Sequence, residues 1–426
     1  MKLILAISAV IITGFTSVIA AEDLSYIHAG KLIDVISDKV LSDQLITVKG
    51  DRIVAVSDWS DTPANAHIID WSDYTVMPGL IDGHSHLIGD IQSDDVAAPL
   101  DYTREEDIAI GVTNAKKTID AGFTSVIDMG AYRGYTDVAL RNMINRGDVP
   151  GPRMWVSGAY VTVTGGGGEV YGSGMGGEIP AEFRTGVADN EEEVRARVND
   201  LLAGDVDLIK MITTGAVLTV GTDPGEPEYN EAEIRAAVEE AAKQGKFVAA
   251  HAHGAEGVKM AVRAGVRTIQ HGSLMDDESL ALMKAKGTWL VADIYNGDYI
   301  NEVGAAENWP EETMRKNRET TGTQRAVFRK AVALGINIAF GTDSGVYPHG
   351  TNGKQFAYMV RYGLTPMQAI KSATIWGAQS MALEADIGSI SPGKLADMIA
   401  VKGDVLNNIR LLEHVDGVIK DGKLVN

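Results

Sequence analysis

From residue 76 to residue 341 the chain alternates short apolar runs with stretches of helical periodicity. The runs are Val76–Ile81, Phe123–Asp128, Arg153–Ser157, Asp207–Ile212, Phe247–His251, Thr268–His271, Trp289–Ile294 and Asn337–Gly341. Between them lie amphipathic segments such as Glu191–Leu202, Glu231–Gln244 and Gly257–Ala264. Each run is continuously apolar rather than alternating. That is the pattern of a parallel strand covered on both faces. Eight β–α units in series predict an α/β fold of the closed (β/α)8 TIM-like barrel type rather than an open doubly wound sheet. No Gly-x-Gly-x-x-Gly follows the first run, which argues against a dinucleotide site.

The flanks read differently. Tyr26–Leu32, Gln44–Lys49, Arg52–Val56 and His67–Asp70 are short β-like runs separated by turn residues such as Lys49-Gly50-Asp51. Short strands return at Met398–Val401, Gly417–Ile419 and Lys423–Val425, the last pair joined by the Lys420-Asp421-Gly422 turn. The two ends are expected to complete one small β-sandwich domain, from residues 22–75 and 381–426, beside a barrel over residues 76–380.

Residues 1–21 form a third region. One lysine precedes an unbroken apolar stretch that ends in small residues, with Val18 and Ala20 where a signal peptidase reads. This predicts a cleaved export signal, a periplasmic or secreted protein, and no membrane attachment after cleavage. The 426 residues carry a formal charge of −20, which disfavours nucleic acid and anionic lipid as partners. Cysteine is absent, so neither disulfides nor thiolate ligands are available, and any metal must be held by nitrogen and oxygen.

Candidate chemistry sits where the apolar runs end. The first run leads into His84-Ser85-His86, two histidines that an extended chain points the same way. Lys210 interrupts the fourth run. A lysine there is costly unless it is neutralised, paired or used, or its amine snorkels to the rim. In a dry setting its pKa falls, and the neutral amine can capture carbon dioxide as an anionic carbamate with two oxygens. The fifth run carries His251 and His253, the sixth His271, and the eighth leads to Asp343. Of nine histidines, His84, His86, His251, His253 and His271 fall at these three histidine-bearing strand ends. The carboxyl ends of parallel strands are where barrel enzymes place their sites. Such a donor set suits Zn²⁺ and its neighbours, and two ions could share a lysine carbamate and a hydroxide. A bound cation lowers the pKa of water towards about 7, and Asp343 would take the proton and pass it to the leaving group.

At these residues the chain resembles the amidohydrolase superfamily. The resemblance covers most of residues 24–426. It rests on Pro78-Gly79-Leu80-Ile81-Asp82-Gly83-His84-Ser85-His86, Lys210, His251, His271 and Gly341-Thr342-Asp343. It extends to Gly388-Ser389-Ile390 and Pro392-Gly393-Lys394-Leu395-Ala396-Asp397. His251-Ala252-His253-Gly254-Ala255-Glu256-Gly257 and the glycine-rich loop after the third run point to the prolidase and carboxypeptidase-like branch, which includes ochratoxin-type amidases. The resemblance implies a binuclear site with two Zn²⁺. His84, His86 and Asp343 would hold the more buried ion, carboxylated Lys210 would bridge, and His251 and His271 would hold the second. By strand period His253 shares the side of His251, so either is open as the ligand, and His253 otherwise touches substrate. Lys210 favours amide hydrolysis over the deamination of other relatives.

The implied substrate is a small amide or short peptide cleaved beside a terminal carboxylate. The second enzymatic reading is a cyclic-amide hydrolase or lactonase, and the non-enzymatic one a periplasmic binding protein. The branch also implies homo-oligomers. Tyr229 resembles a tyrosine that hydrogen-bonds the tetrahedral intermediate in relatives; otherwise it is a helix-entry residue. Tyr132, Arg133 and Arg184 lie in loops after the second and third runs, where one could clamp a carboxylate. His349 follows the eighth run and could face the pocket. Gly165-Gly166-Gly167-Gly168 stand where many relatives carry a histidine. The loop Thr164–Gly177 around them reads as a flap or a place of close backbone approach.

Overall fold

A computed structural model describes residues 24–60, 62, 66–89, 97–170 and 179–425. The expected export signal and the far part of the Thr164–Gly177 loop lie outside them. In chain order the strands are β1 (Leu24–Asp34), β2 (Lys39–Lys49), β3 (Arg52–Asp58) and β4 (His67–Pro78), then β5 (Leu80–Ser85), β6 (Phe123–Asp128), β7 (Arg153–Val156) and β8 (Tyr160–Val161). They continue with β9 (Ile209–Ile212), β10 (Val248–Gly254), β11 (Thr268–Leu274), β12 (Trp289–Val291), β13 (Ile338–Ala339), β14 (Met398–Lys402), β15 (Gly417–Lys420) and β16 (Lys423–Leu424).

The parallel strands form two sheets, β5-β6-β7 and β13-β12-β11-β10-β9-β8. Backbone hydrogen bonds join them at both seams. Asp207 N donates to Val156 O at 2.8 Å on one side. On the other, Gly83 N donates to Phe340 O at 2.9 Å and His86 N to Ser344 O at 2.7 Å. The eight apolar runs of the sequence thus all enter the parallel layer. Their inner and outer residues, among them Val126, Met211, Val248, Ile269, Leu290 and Ile338, are buried. Helices cover the layer, and local signals set their starts: Thr103 with Glu106, and Asn230 with Glu233, form reciprocal capping boxes.

The chain ends meet in one seven-stranded sheet of order β16-β15-β14-β4-β1-β2-β3. β4 is its centre, pairing with β1 and with β14. Trp71, Ile27, Ile46, Val76, Met398 and Ile419 pack in its core. The run Val76–Ile81, expected to be one strand, is divided between layers: Val76–Pro78 ends β4 and Leu80 opens β5. The break is Gly79, where an added Cβ would lie 2.2 Å from the Thr124 hydroxyl oxygen. The chain can turn from one sheet into the other only with no side chain there. Among the described residues no helix is long and apolar enough to cross a membrane.

Candidate metal centre

The polar residues at the strand ends converge. His84 and His86 close β5, Lys210 lies within β9, His251 and His253 within β10, and His271 within β11, while Asp343 follows β13. All seven are buried and line a single pocket. His84 and His86 have ring centroids 5.3 Å apart, and His84 lies 4.9 Å from His271. His271 in turn is 4.5 Å from His251 and 4.6 Å from His253. Three donor sets emerge, each with ligand atoms within 4.8 Å of one another: His84, His86 and Asp343; His251, His253 and His271; and His271, Asp293 and Asp343. His271 and Asp343 have φ of 67° and 57°. Side chains rarely adopt this left-handed conformation, and its presence at both turns marks them as held by their surroundings.

Whether a cation fits is answered by unspent valences. Lys210 Nζ and His84 Nδ1 are buried and have no hydrogen-bond partner among the described residues. Such groups are expensive to bury alone; a carboxylated lysine on a cation would satisfy Lys210, and His84 turns its other nitrogen, Nε2, towards Asp343 at 3.2 Å. The other ring nitrogens are already oriented. His86 Nδ1 is 2.9 Å from Gly130 O, His253 Nδ1 is 2.8 Å from Ser273 Oγ, and His271 Nδ1 is 3.0 Å from Asp293 Oδ1. This is the outer support that fixes the tautomer and aim of ligating imidazoles.

Burial also sets the charges. It pushes the Lys210 amine down to about 7, against the pull of Asp343 and Asp293. It pushes His84 down to about 3, helped by the charge of Lys210, and holds His251 and His253 well below the usual imidazole value. His84, His251 and His253 are therefore neutral donors, whereas at His86 the effect of burial is outweighed by hydrogen bonding to Asp343 and by its charge, which raise it. Burial would raise Asp343, but the charge of His84 and hydrogen bonding to His84 and His86 hold it well below the carboxylate range. Asp343 Oδ1 lies 3.2 Å from His84 Nε2 and 3.3 Å from His86 Nε2.

Four expectations require correction. Tyr229 does not reach the pocket: it is fully buried in the hydrophobic core and its hydroxyl donates to Ala188 O at 2.7 Å. Arg133 is not free to clamp a substrate. Its Nε donates to Asp107 Oδ2 at 2.8 Å, it also pairs with Glu182, and its guanidinium stacks over Phe183. Arg184 is likewise held by Glu169. His349 does not line the pocket: Nε2 lies 2.9 Å from His86 O and Nδ1 3.1 Å from Thr118 Oγ1, so it supports the His86 backbone. Tyr132 does line the pocket, together with Tyr160, Gly167 and Gly168.

Sequence reasoning overlooked Asp293, Asn296 and Gln324. Asp293 Oδ1 accepts from His271 and from Gln324 Nε2 at 2.9 Å. Asn296 Nδ2 donates to Asp293 Oδ2 at 3.2 Å and to Asp343 Oδ2 at 3.0 Å. A carboxyl group inside the apolar run Leu290–Ile294 was the available signal.

Comparison with known proteins identifies the family of the chain. The Amidohydrolase family matches residues 75–425. Ochratoxinase from Aspergillus niger is 30% identical over 441 residues, covering 96% of this chain and 88% of that protein. A solved Xaa-Pro dipeptidase with methionine bound in its active site is 39% identical, with a TM-score of 0.90 over 95% of this chain and 100% of that one. A prolidase complexed with N-methylphosphonate-L-proline is 28% identical, with a TM-score of 0.88 over 95% of this chain and 99% of that one. A match over this span, with a family-wide likeness at both levels, assigns the chain to the amidohydrolase family.

Proposed function

We propose that this chain is a metal-dependent hydrolase that cleaves a peptide or amide bond beside a terminal carboxylate. We read its two joined parallel sheets as a (β/α)8 barrel and its chain-end sheet as a β-sandwich. His84, His86 and Asp343 would hold one Zn²⁺, His271 with His251 or His253 a second, and carboxylated Lys210 would serve both. Bound there, the ions would polarise the scissile carbonyl and lower the pKa of water.

The protein's own groups support the remaining steps. Asp343 is an ionised carboxylate at the pocket floor, oriented by Asn296 through the 3.0 Å bond to Oδ2. It is placed to take a proton from the attacking water and return it to the leaving nitrogen. Burial keeps the hydroxyls of Tyr132 and Tyr160 protonated, Tyr132 being pushed up to about 12. With Arg133 and Arg184 committed elsewhere, these hydroxyls are the donors we assign to the substrate carboxylate. The relatives support the substrate class: one is an ochratoxinase and another an Xaa-Pro dipeptidase. The apolar leader supports export to the periplasm or beyond, and the family branch supports a homo-oligomer.

One observation carries the reading: the buried Lys210 amine, without a partner among the described residues, opens on the same pocket as five histidines. The test is Lys210→Ala assayed on dipeptides, N-acyl amino acids and lactones after zinc loading. We expect loss of most amide hydrolysis, with partial return when a small carboxylic acid is supplied. Wild-type turnover in the variant would remove the bridging role, and a preference for lactones would change the substrate class.

A further inference from the structure

The helix Glu311–Leu334 turns a polar face inward. Thr313, Lys316, Asn317, Thr320 and Gln324 follow the i, i+3, i+4, i+7, i+11 spacing that normally carries the apolar stripe, and all five are buried. Lys316 is the costly member. It is 2% exposed, and a buried ammonium is tolerated only when it is paired and hydrogen-bonded. Lys316 Nζ is 2.6 Å from Glu312 Oε1, 2.7 Å from Thr219 O and 3.4 Å from Ala216 O. Its three N–H donors are thereby spent, and two of them go to one loop.

That loop, residues 215–222, follows β9 and lines the pocket through Ala216, Val217, Leu218 and Thr219. At its near end Gly215 O lies 3.3 Å from His251 Nε2. Glu312 grips its far end, accepting from Gly221 N at 2.8 Å. Thr219 carries the hold onward: its Oγ1 donates to Gly167 O at 2.7 Å, and Gly167 N donates to the Glu228 carboxylate at 2.8 Å. The two loops meet closely, since a Cβ at Gly167 would lie 3.1 Å from Ala216 Cβ. Leu218 packs against the cluster that holds Ile300 and Val346, which line the same pocket. The loop is thus an apolar part of the pocket wall, and the room beside it depends on where the loop is pinned. An apolar residue in place of Lys316 would fill the same space yet leave Thr219 O and the Glu312 carboxylate without their donor.

We propose that Lys316 is a positioning residue: by pinning residues 215–222 it fixes the width of the pocket beside Ala216, Val217 and Leu218 and so sets which side chains the enzyme accepts. The inference rests on the reading above of an amide hydrolase and adds the group that governs its selectivity. Lys316 touches neither the substrate nor the proposed ions; it acts through the loop.

The test uses the zinc-loaded full chain as wild type, Lys316→Met and Glu312→Gln. Hydrogen exchange follows the backbone amides of residues 215–222 and 165–168. Steady-state kinetics compare leucyl-proline with glycyl-proline, and thermal shift compares isocaproamide with acetamide. In Lys316→Met we expect exchange in both loops to rise by about tenfold or more, as for one lost hydrogen bond to a charged group, while β9 and β10 keep their protection. We expect the wild type to favour leucyl-proline in kcat/KM by about tenfold or more. In Lys316→Met the ratio should shrink severalfold, chiefly through a higher KM for leucyl-proline. Glu312→Gln keeps the size and removes the charge, so it should move both readouts the same way by less; it decides the matter where Lys316→Met fails to fold. Unchanged loop exchange, an unchanged ratio, or an equal loss on both substrates overturns the assignment while leaving amide hydrolysis intact. If the wild type cleaves neither substrate but the variants lose its preference for isocaproamide, the positioning role stands and the hydrolase reading falls. No cleavage and a preference kept in the variants would end both.

Discussion

His271 and Asp293 are joined by a 3.0 Å contact between Nδ1 and Oδ1, which leaves the imidazole's other nitrogen for the pocket. Burial opposes the charge on Asp293, yet the charge of His271 and the hydrogen bond to it draw the carboxyl down to about 2. The pair thus behaves as a carboxylate-supported ligand. Asp293→Ala is expected to weaken metal retention by about 10–100-fold. Competition with a chelator, read as bound zinc per chain, checks this; undiminished retention would make Asp293 a bystander.

Asp343→Asn removes the proton acceptor but keeps the shape and one ligand oxygen. Turnover is expected to fall by about 10²–10⁴-fold, the usual contribution of positioned acid–base groups. Metal content should stay near that of the wild type. Measuring both on one preparation separates a proton-transfer defect from loss of the ions.

Metal-free protein should become more stable as pH rises from about 7 towards 10.5, because burial lowers Lys210 to about 7 in the folded state from its ordinary 10.5 in the unfolded chain. Between these values the unfolded chain binds the extra proton. Unfolding free energy therefore climbs with pH, by at most about 1.4 kcal/mol per pH unit for one group. The contribution is fully present above 10.5 and is lost as pH falls through 7. Lys210→Met should flatten this slope in urea titrations of the apoprotein; an identical slope would assign it to other groups.

Tyr229→Phe should cost about 1–2 kcal/mol of stability by leaving Ala188 O unsatisfied in the core. Because the hydroxyl is remote from the pocket, kcat and KM should be unaffected. A drop in kcat without a change in melting temperature would restore the catalytic role that the sequence suggested.

Much of this was readable in the chain. The apolar runs marked the parallel layer, and polar residues at their ends stood out because burying a lysine or paired histidines without purpose is costly. Other features depend on partners far along the chain. Arg133 looked available until the fold brought Asp107 and Glu182 to it. Tyr229 gave no sign of which way it would turn. Asp293 was hidden because Trp289–Ile294 read as one strand, whereas β12 stops at Val291 and frees Asp293 to face the site. The inward face of the helix Glu311–Leu334 inverted the rule that buried helix faces are apolar, so periodicity concealed it.

The placement of β4 has a bearing on how the molecule is made. β4 lies between β1, already synthesised, and β14, which begins only at Met398. A nascent chain emerging from the ribosome therefore exposes one edge of β4 throughout translation of the catalytic layer. Final closure waits for the last residues, since β14–β16 must dock against a strand made some 320 residues earlier. Contacts of such long sequence separation form slowly. A chain cut short before β14 would carry every residue that we assign to the metal site and still present an open, aggregation-prone edge.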